Sequence, residues 1–120
     1  MRILIVDDRI ESRWAIADWL SALVRPVSIE SAASAPEALA AIAKRKPNVV
    51  LAAHPMRDMG GMGLARHLKS QGTFPLVVIM TSHSDAQFES ACDAAGADFW
   101  LEKRHLEGRL LAFLQQRFSL

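Results

Sequence analysis

The sequence predicts an α/β protein: a doubly wound, five-stranded parallel sheet covered by helices on both faces. Three observations carry this. Apolar runs of strand length alternate with segments of helical period, most of the runs are apolar at consecutive positions as in strands buried on both faces, and turn residues punctuate the junctions. The chain has 120 residues, 51% of them hydrophobic, which is enough for one packed core, so residues 1–120 are expected to form a single domain.

Taken in order, residues 3–6, 49–52 and 76–80 are expected to be central strands, each an unbroken apolar run. Residues 27–31 alternate apolar and polar as an edge strand does, and the short run 99–101 suits the other edge. Helices are expected near 10–24, 35–45, 62–71, 85–95 and 106–118. Ser34-Ala35-Pro36-Glu37 has the spacing of a capping box, with Pro36 in the first turn, where its missing N–H costs nothing. Pro47 stops the second helix, and Gly72 and Gly96 are placed to end the third and fourth with a left-handed residue. Neither a linker nor a low-complexity stretch interrupts the βα alternation.

Charge and cysteine content exclude several functions. The 14 basic and 13 acidic side chains nearly cancel. Arg2, Arg9, Arg13, Arg25, Lys44, Arg45 and Lys46 fall on different elements, so no basic stripe is available for direct nucleic-acid binding. The single cysteine, Cys92, rules out an internal disulfide and any cysteine-rich zinc site, and its alanine neighbours suggest a small buried hydrophobe. His54, His67, His83 and His105 lack metal-ligand spacing. Two acids within the first eight residues leave no room for a signal-peptide core, and no apolar run reaches membrane-spanning length, so a cytoplasmic protein without a membrane partner is expected.

Function in a doubly wound sheet gathers where the carboxyl ends of the strands converge. Here those ends carry Asp7-Asp8, Ala53, Thr81-Ser82 and Lys103. Acids, a hydroxyl and an ammonium meeting in one crevice suit an oxygen-ligated divalent cation with a phosphoryl group beside it. Taken singly, an acidic pair after an apolar run is also what a solvated strand end looks like.

Combined, the motifs resemble the response-regulator receiver family over essentially the whole chain. They are Asp7-Asp8 closing the first strand, residues 47–53 followed by Met59-Gly60-Gly61, the run ending in Thr81-Ser82, and Ala95-Gly96-Ala97-Asp98 leading through Trp100 to Lys103. The resemblance implies a flavodoxin-like (βα)5 fold with strand order 2-1-3-4-5. It further implies that Asp7 and Asp8 hold Mg²⁺, that Thr81 and Lys103 each meet a phosphoryl oxygen, and that the phosphoacceptor aspartate stands eight residues before Gly61. That position is Ala53.

A methyl group is neither a nucleophile nor a metal ligand, so the expectation is a non-catalytic receiver with vestigial site positions Ala53, Thr81 and Lys103. Loss of one carboxylate leaves Mg²⁺ at Asp7 and Asp8 weak or vestigial, with Lys103 free to pair with either in place of the ion, and no other cofactor is expected. Arg57 and Arg104 stand where the family usually has proline, which predicts a reshaped loop and a trans Lys103–Arg104 bond, because a cis bond before a residue other than proline costs ~2.5–4 kcal/mol. His54, Asp58 and Ser82 are the candidate substitute acceptors.

The resemblance places signal read-out on the fourth helix, fifth strand and fifth helix. Trp100 is the candidate contact there, a fixed and partly exposed indole. On the fourth helix Phe88, Ala91, Cys92 and Ala95 form the inward stripe, and Asp85, Glu89 and Asp93 form an acidic ridge suited to a basic partner. The first helix has a wide apolar surface with Trp14 and Trp19 on its margins, expected to pack on both sheet and fifth helix. On the fifth helix Leu106, Leu110, Phe113 and Leu114 face inward, leaving Leu111, Phe118 and Leu120 as apolar surface.

The function expected is therefore a phosphorylation-independent signalling module, not an enzyme. Its partner would be a second copy, an output domain or a protein of a histidine-kinase pathway. The alternatives are a working phosphoreceiver, with an unusual acceptor or an alanine engineered into position 53, and, more remotely, a flavodoxin-like small-molecule or nucleotide enzyme.

Overall fold

A computed structural model describes residues 1–24, 26–72 and 75–119. Arg25 and Leu120, named above for charge and apolar surface, lie outside these. The order is β1 (Arg2–Val6), α1 (Ile10–Leu23), β2 (Ser28–Ala32), α2 (Ala35–Lys44), β3 (Val49–Ala53), α3 (Gly60–Lys69), β4 (Leu76–Thr81), α4 (Ala86–Ala95), β5 (Phe99–Glu102) and α5 (Leu106–Phe118). A 3₁₀ turn, Lys103–His105, joins β5 to α5.

All strand pairings are parallel and the sheet order is β2-β1-β3-β4-β5, as the resemblance implies. The chain steps from β1 out to β2 and then returns past β1 to β3. Right-handed crossovers therefore place α1 on one face and α2, α3 and α4 on the other, with α5 coming back to the first. Every residue of β3 and β4 is buried, which explains why their sequence does not alternate. β2, at the edge, is mostly exposed and runs one residue later than its pattern suggests.

The helix punctuation holds in most places. Ser34 Oγ accepts from the Glu37 amide and caps α2, while Glu37 Oε1 accepts from the amide of Ala33, one residue before the cap. Gly96 ends α4 in the left-handed region at φ 81°. Gly72 does not cap α3, which ends at Lys69 with Ser70 in right-handed helical geometry and its hydroxyl donating to the His67 carbonyl. α3 also starts two residues earlier than expected, at Gly60. Its amide is accepted by Asp58 Oδ1, and its φ of 64° suits glycine because a Cβ there would lie 2.8 Å from the His54 ring.

One apolar cluster fills both sides of the sheet. Cys92 is fully buried, and that burial, with Asp93 and Glu89 nearby, pushes its thiol up to about 12. Leu106, Leu110, Phe113 and Leu114 are buried as their spacing predicts, whereas Leu111 and Phe118 are half-buried against the core rather than free surface. The first helix departs from expectation. It does not close onto α5. A groove of about 1090 Å³ separates the two, lined by small residues (Ser12, Ala15, Gly108, Ala112) with Trp19 and Phe113 along it, while Trp14 is 67% exposed.

Candidate functional site

The carboxyl end of β1 delivers Asp7 into the interior, 1% exposed. Its oxygens are both engaged: Oδ1 accepts from the Arg9 amide at 3.0 Å, and Oδ2 accepts from Lys103 Nζ at 2.8 Å. Lys103 arrives from the turn after β5 and also donates to Ser12 Oγ at 3.1 Å, bridging the first turn of α1 to the site. Burial works to raise the Asp7 carboxyl, but hydrogen bonds from Lys103, Ser12 and the Arg9 amide, together with the Lys103 charge, overcome it and leave Asp7 below the usual range. Arg13 Nη1 completes the frame by donating to the Asp7 carbonyl.

Asp8 turns away from this pair. Its Oδ2 accepts from the Arg57 amide at 3.2 Å, and the Arg57 side chain, 91% exposed, stands 3.8 Å off. Ala53, at the end of β3, is buried opposite Met80 in the β4 register and presents only its methyl group. α3 can approach this strand end because Gly61 has no Cβ; one there would lie 2.8 Å from the Ala53 carbonyl oxygen. Thr81, also buried, donates its hydroxyl to the His83 carbonyl and accepts from the His83 amide, so it serves its own loop.

Asp7 and Lys103 are thus in contact, and Asp8, Ala53 and Thr81 stand at the neighbouring strand ends without direct bonds to them. The donor set does not fit a divalent cation. Lys103 occupies one oxygen of Asp7, a backbone amide takes one oxygen of Asp8, and the third position is a methyl. Among the described residues no three His, Cys, Asp or Glu side chains cluster as a metal site.

Of the candidate substitute acceptors, Asp58 is held by two backbone amides, those of Ala35 and Gly60, and ties the start of α2 to the start of α3. The His54 ring lies over Gly60 and 6.4 Å from Phe88, its Nδ1 is buried without a hydrogen-bond partner, and burial lowers its pKa. Ser82 is exposed.

On the α4–β5–α5 face Trp100 is half-buried and meets Phe88 edge-on at 5.9 Å. The Arg109 guanidinium lies over both Trp100, at 5.5 Å, and Phe99, at 5.1 Å. Glu89 and Asp93 are exposed on α4 as expected. Asp85 is a different kind of residue: it is the N-cap of α4, with Oδ1 accepting from the Phe88 amide at 2.7 Å, so the acidic ridge on the helix proper is shorter than its spacing suggests.

Sequence reasoning missed Ser12, Arg109 and Glu102. Glu102 is buried at the end of β5 and accepts from the Ser84 amide and hydroxyl and from Arg104. Only its position beside Lys103 could have signalled it. The Lys103–Arg104 bond is trans; the one cis peptide bond among the described residues is His54–Pro55. No helix among these residues is long and apolar enough to cross a membrane.

The sequence profile of the response regulator receiver domain matches residues 3–115. The chain is 30% identical over 117 residues to the DNA-binding transcriptional regulator NtrC of Salmonella typhimurium, covering 98% of this chain and 24% of that protein. It is 32% identical over 112 residues to the response regulator MprA of Mycobacterium sp. strain KMS, covering 93% of this chain and 48% of that protein. It therefore spans about a quarter to about half the length of these relatives. The fold superposes on the BeF3-activated N-terminal receiver domain of Klebsiella pneumoniae RstA with a TM-score of 0.87 at 26% identity, over 97% of both chains. The TM-score with the chemotaxis protein CheY4 of Vibrio cholerae is 0.83 at 28% identity, over 96% of both chains. With its sheet order, its strand-end residues and a profile match over nearly its full length, this chain belongs to the receiver-domain family of two-component response regulators.

Proposed function

We propose that this receiver domain signals through protein contacts without being phosphorylated, and that it is not an enzyme. One observation carries the reading: the acceptor position holds the buried methyl of Ala53, beside an Asp7 carboxylate already neutralised by Lys103 at 2.8 Å. Phosphoryl transfer needs an attacking atom and a metal to gather charge on the phosphoryl oxygens. Ala53 supplies no attacking atom, and the lost carboxylate leaves any metal at Asp7 and Asp8 weakly held. Lys103 takes the place of the ion, so the site has become an internal ion pair that fastens β1, α1 and the β5–α5 turn together.

The contact surface in this reading is the α4–β5–α5 face, and the partner is a protein of a cytoplasmic two-component pathway, an output domain or a second copy of the chain. Support comes from Trp100, which stays half-exposed between Phe88 and Arg109, since a tryptophan and an arginine side by side are the residues most often decisive at protein interfaces.

Incubation with Mg²⁺ and acetyl phosphate should leave the intact mass of the protein unchanged. The Ala53→Asp variant should bind Mg²⁺ at least ~10-fold more tightly by titration calorimetry, because it restores a carboxylate ligand. A stoichiometric phospho-adduct on the unaltered chain would overturn the reading, and peptide mapping would assign it to His54, Asp58, Ser82 or the Asp7-Asp8 pair.

A further inference from the structure

Glu102 is a buried carboxylate at the end of β5. Its side chain is only 11% exposed, and it pairs in register with Thr81 of β4. Withdrawing a charge from water is costly unless its oxygens are fully engaged, and here they are. Oε1 accepts from the Ser84 amide at 3.2 Å and the Ser84 hydroxyl at 2.8 Å, while Oε2 accepts from Arg104 in the turn leading to α5. One carboxylate therefore joins the β4–α4 loop, the end of β5 and the start of α5. Those bonds hold Glu102 down at about 2.

The residues just beyond Ser84 give the tether its reach. Asp85 is the N-cap of α4 and accepts from the Phe88 amide, and the Phe88 ring is the edge-on neighbour of Trp100. The Thr81 hydroxyl, at the end of β4, bonds to His83 and so stays within the loop. The bond between Glu102 and Ser84 thus lies one residue before the N-cap of α4 and four before Phe88.

We propose that Glu102 is the positioning residue of the α4–β5–α5 contact face: its carboxylate permanently fastens the β4–α4 loop to β5, and so sets the seat of α4 against Trp100. This rests on the reading of that face as the contact surface. The chain thereby carries its own fixed anion at the head of the face. A receiver with no phosphoryl group to arrive has its loop set by a side chain instead.

The test is amide hydrogen exchange and ¹⁵N NMR on the full chain, with no phosphodonor present. Glu102→Ala should raise exchange at Ser84 and Phe88 at least ~10-fold, as loss of hydrogen bonds to a charged acceptor implies, and should move or broaden the Trp100 indole resonance. Glu102→Gln, whose amide oxygen can still accept from Ser84, should restore the Trp100 resonance and most of the protection. Amides of β3, such as Leu51, should be unaffected in both. If Glu102→Ala does not fold, Ser84→Ala replaces it, with the same rise expected at Phe88 and the same Trp100 change. Unchanged Phe88 exchange and an unmoved Trp100 resonance in the variant that folds would overturn the proposal. That outcome is independent of whether acetyl phosphate modifies the protein, so the two readings fail separately.

Discussion

A lysine and an aspartate in contact inside a protein are usually a poor source of net stability, because desolvating two charges offsets most of their attraction. The Asp7–Lys103 pair escapes part of that cost. Lys103 keeps 24% of its side chain in solvent, and Asp7 accepts two further hydrogen bonds. His54, next to Ala53, is the opposite case: its Nδ1 is buried without a partner, and desolvation holds its pKa below the ordinary 6.5. Between these two values the unfolded chain binds the proton that the folded chain refuses. The contribution of His54 to stability is therefore complete above about 6.5 and is lost as pH falls from there toward the lowered folded value. Urea unfolding at pH 7.5 and 5.5 should show a lower midpoint at 5.5, and His54→Phe should flatten that difference. An equal fall in the variant would place the dependence elsewhere.

Among the elements, α4 shows how one acidic residue can be misassigned by spacing alone. Asp85, Glu89 and Asp93 recur every four residues, yet Asp85 spends its carboxylate on the Phe88 amide, while the other two stand in solvent. Cap and charge are separable by substitution. Asp85→Asn keeps an accepting oxygen and should leave stability nearly unchanged, whereas Asp85→Ala should cost about 1 kcal/mol in chemical denaturation. Equal losses in both variants would mean that the charge matters rather than the cap. α3 makes the complementary point at its other end, because the Ser70 hydroxyl and the turn around it stop the helix before Gly72 is reached.

For the whole molecule, the α4–β5–α5 face sets acids against bases across an aromatic centre. Glu89 and Asp93 lie on α4, Arg109 lies on α5, and Trp100 stands between. A two-fold axis through such a face brings each helix against its opposite in the second copy, which is what an isologous contact requires. Sedimentation equilibrium should detect a weak dimer that dissociates further in high salt and is lost in Trp100→Ala. If both proteins remain monomers at the highest concentrations, and a partner pull-down is equally indifferent to the substitution, the face loses its claim. The groove between α1 and α5 adjoins this face through Arg109, which lines it and lies over Trp100.

Strand count and sheet direction were legible in the sequence, because these depend on composition and local order. Five apolar runs separated by helical segments admit few sheets once crossovers must be right-handed, and Ala53 is a methyl wherever it lies. Which acid Lys103 neutralises emerges only on folding, since Asp7 and Asp8 are adjacent and their side chains point to opposite sides, one to Lys103 and the other to Arg57. The separation of α1 from α5 is of the same kind, because the size of a gap depends on small residues from two distant segments meeting. The bond between Glu102 and Ser84 spans 18 residues and joins two strand ends, so no local pattern could carry it. It exists because parallel β4 and β5 end side by side, with Thr81 opposite Glu102, and the loop leaving one of them folds back across the other.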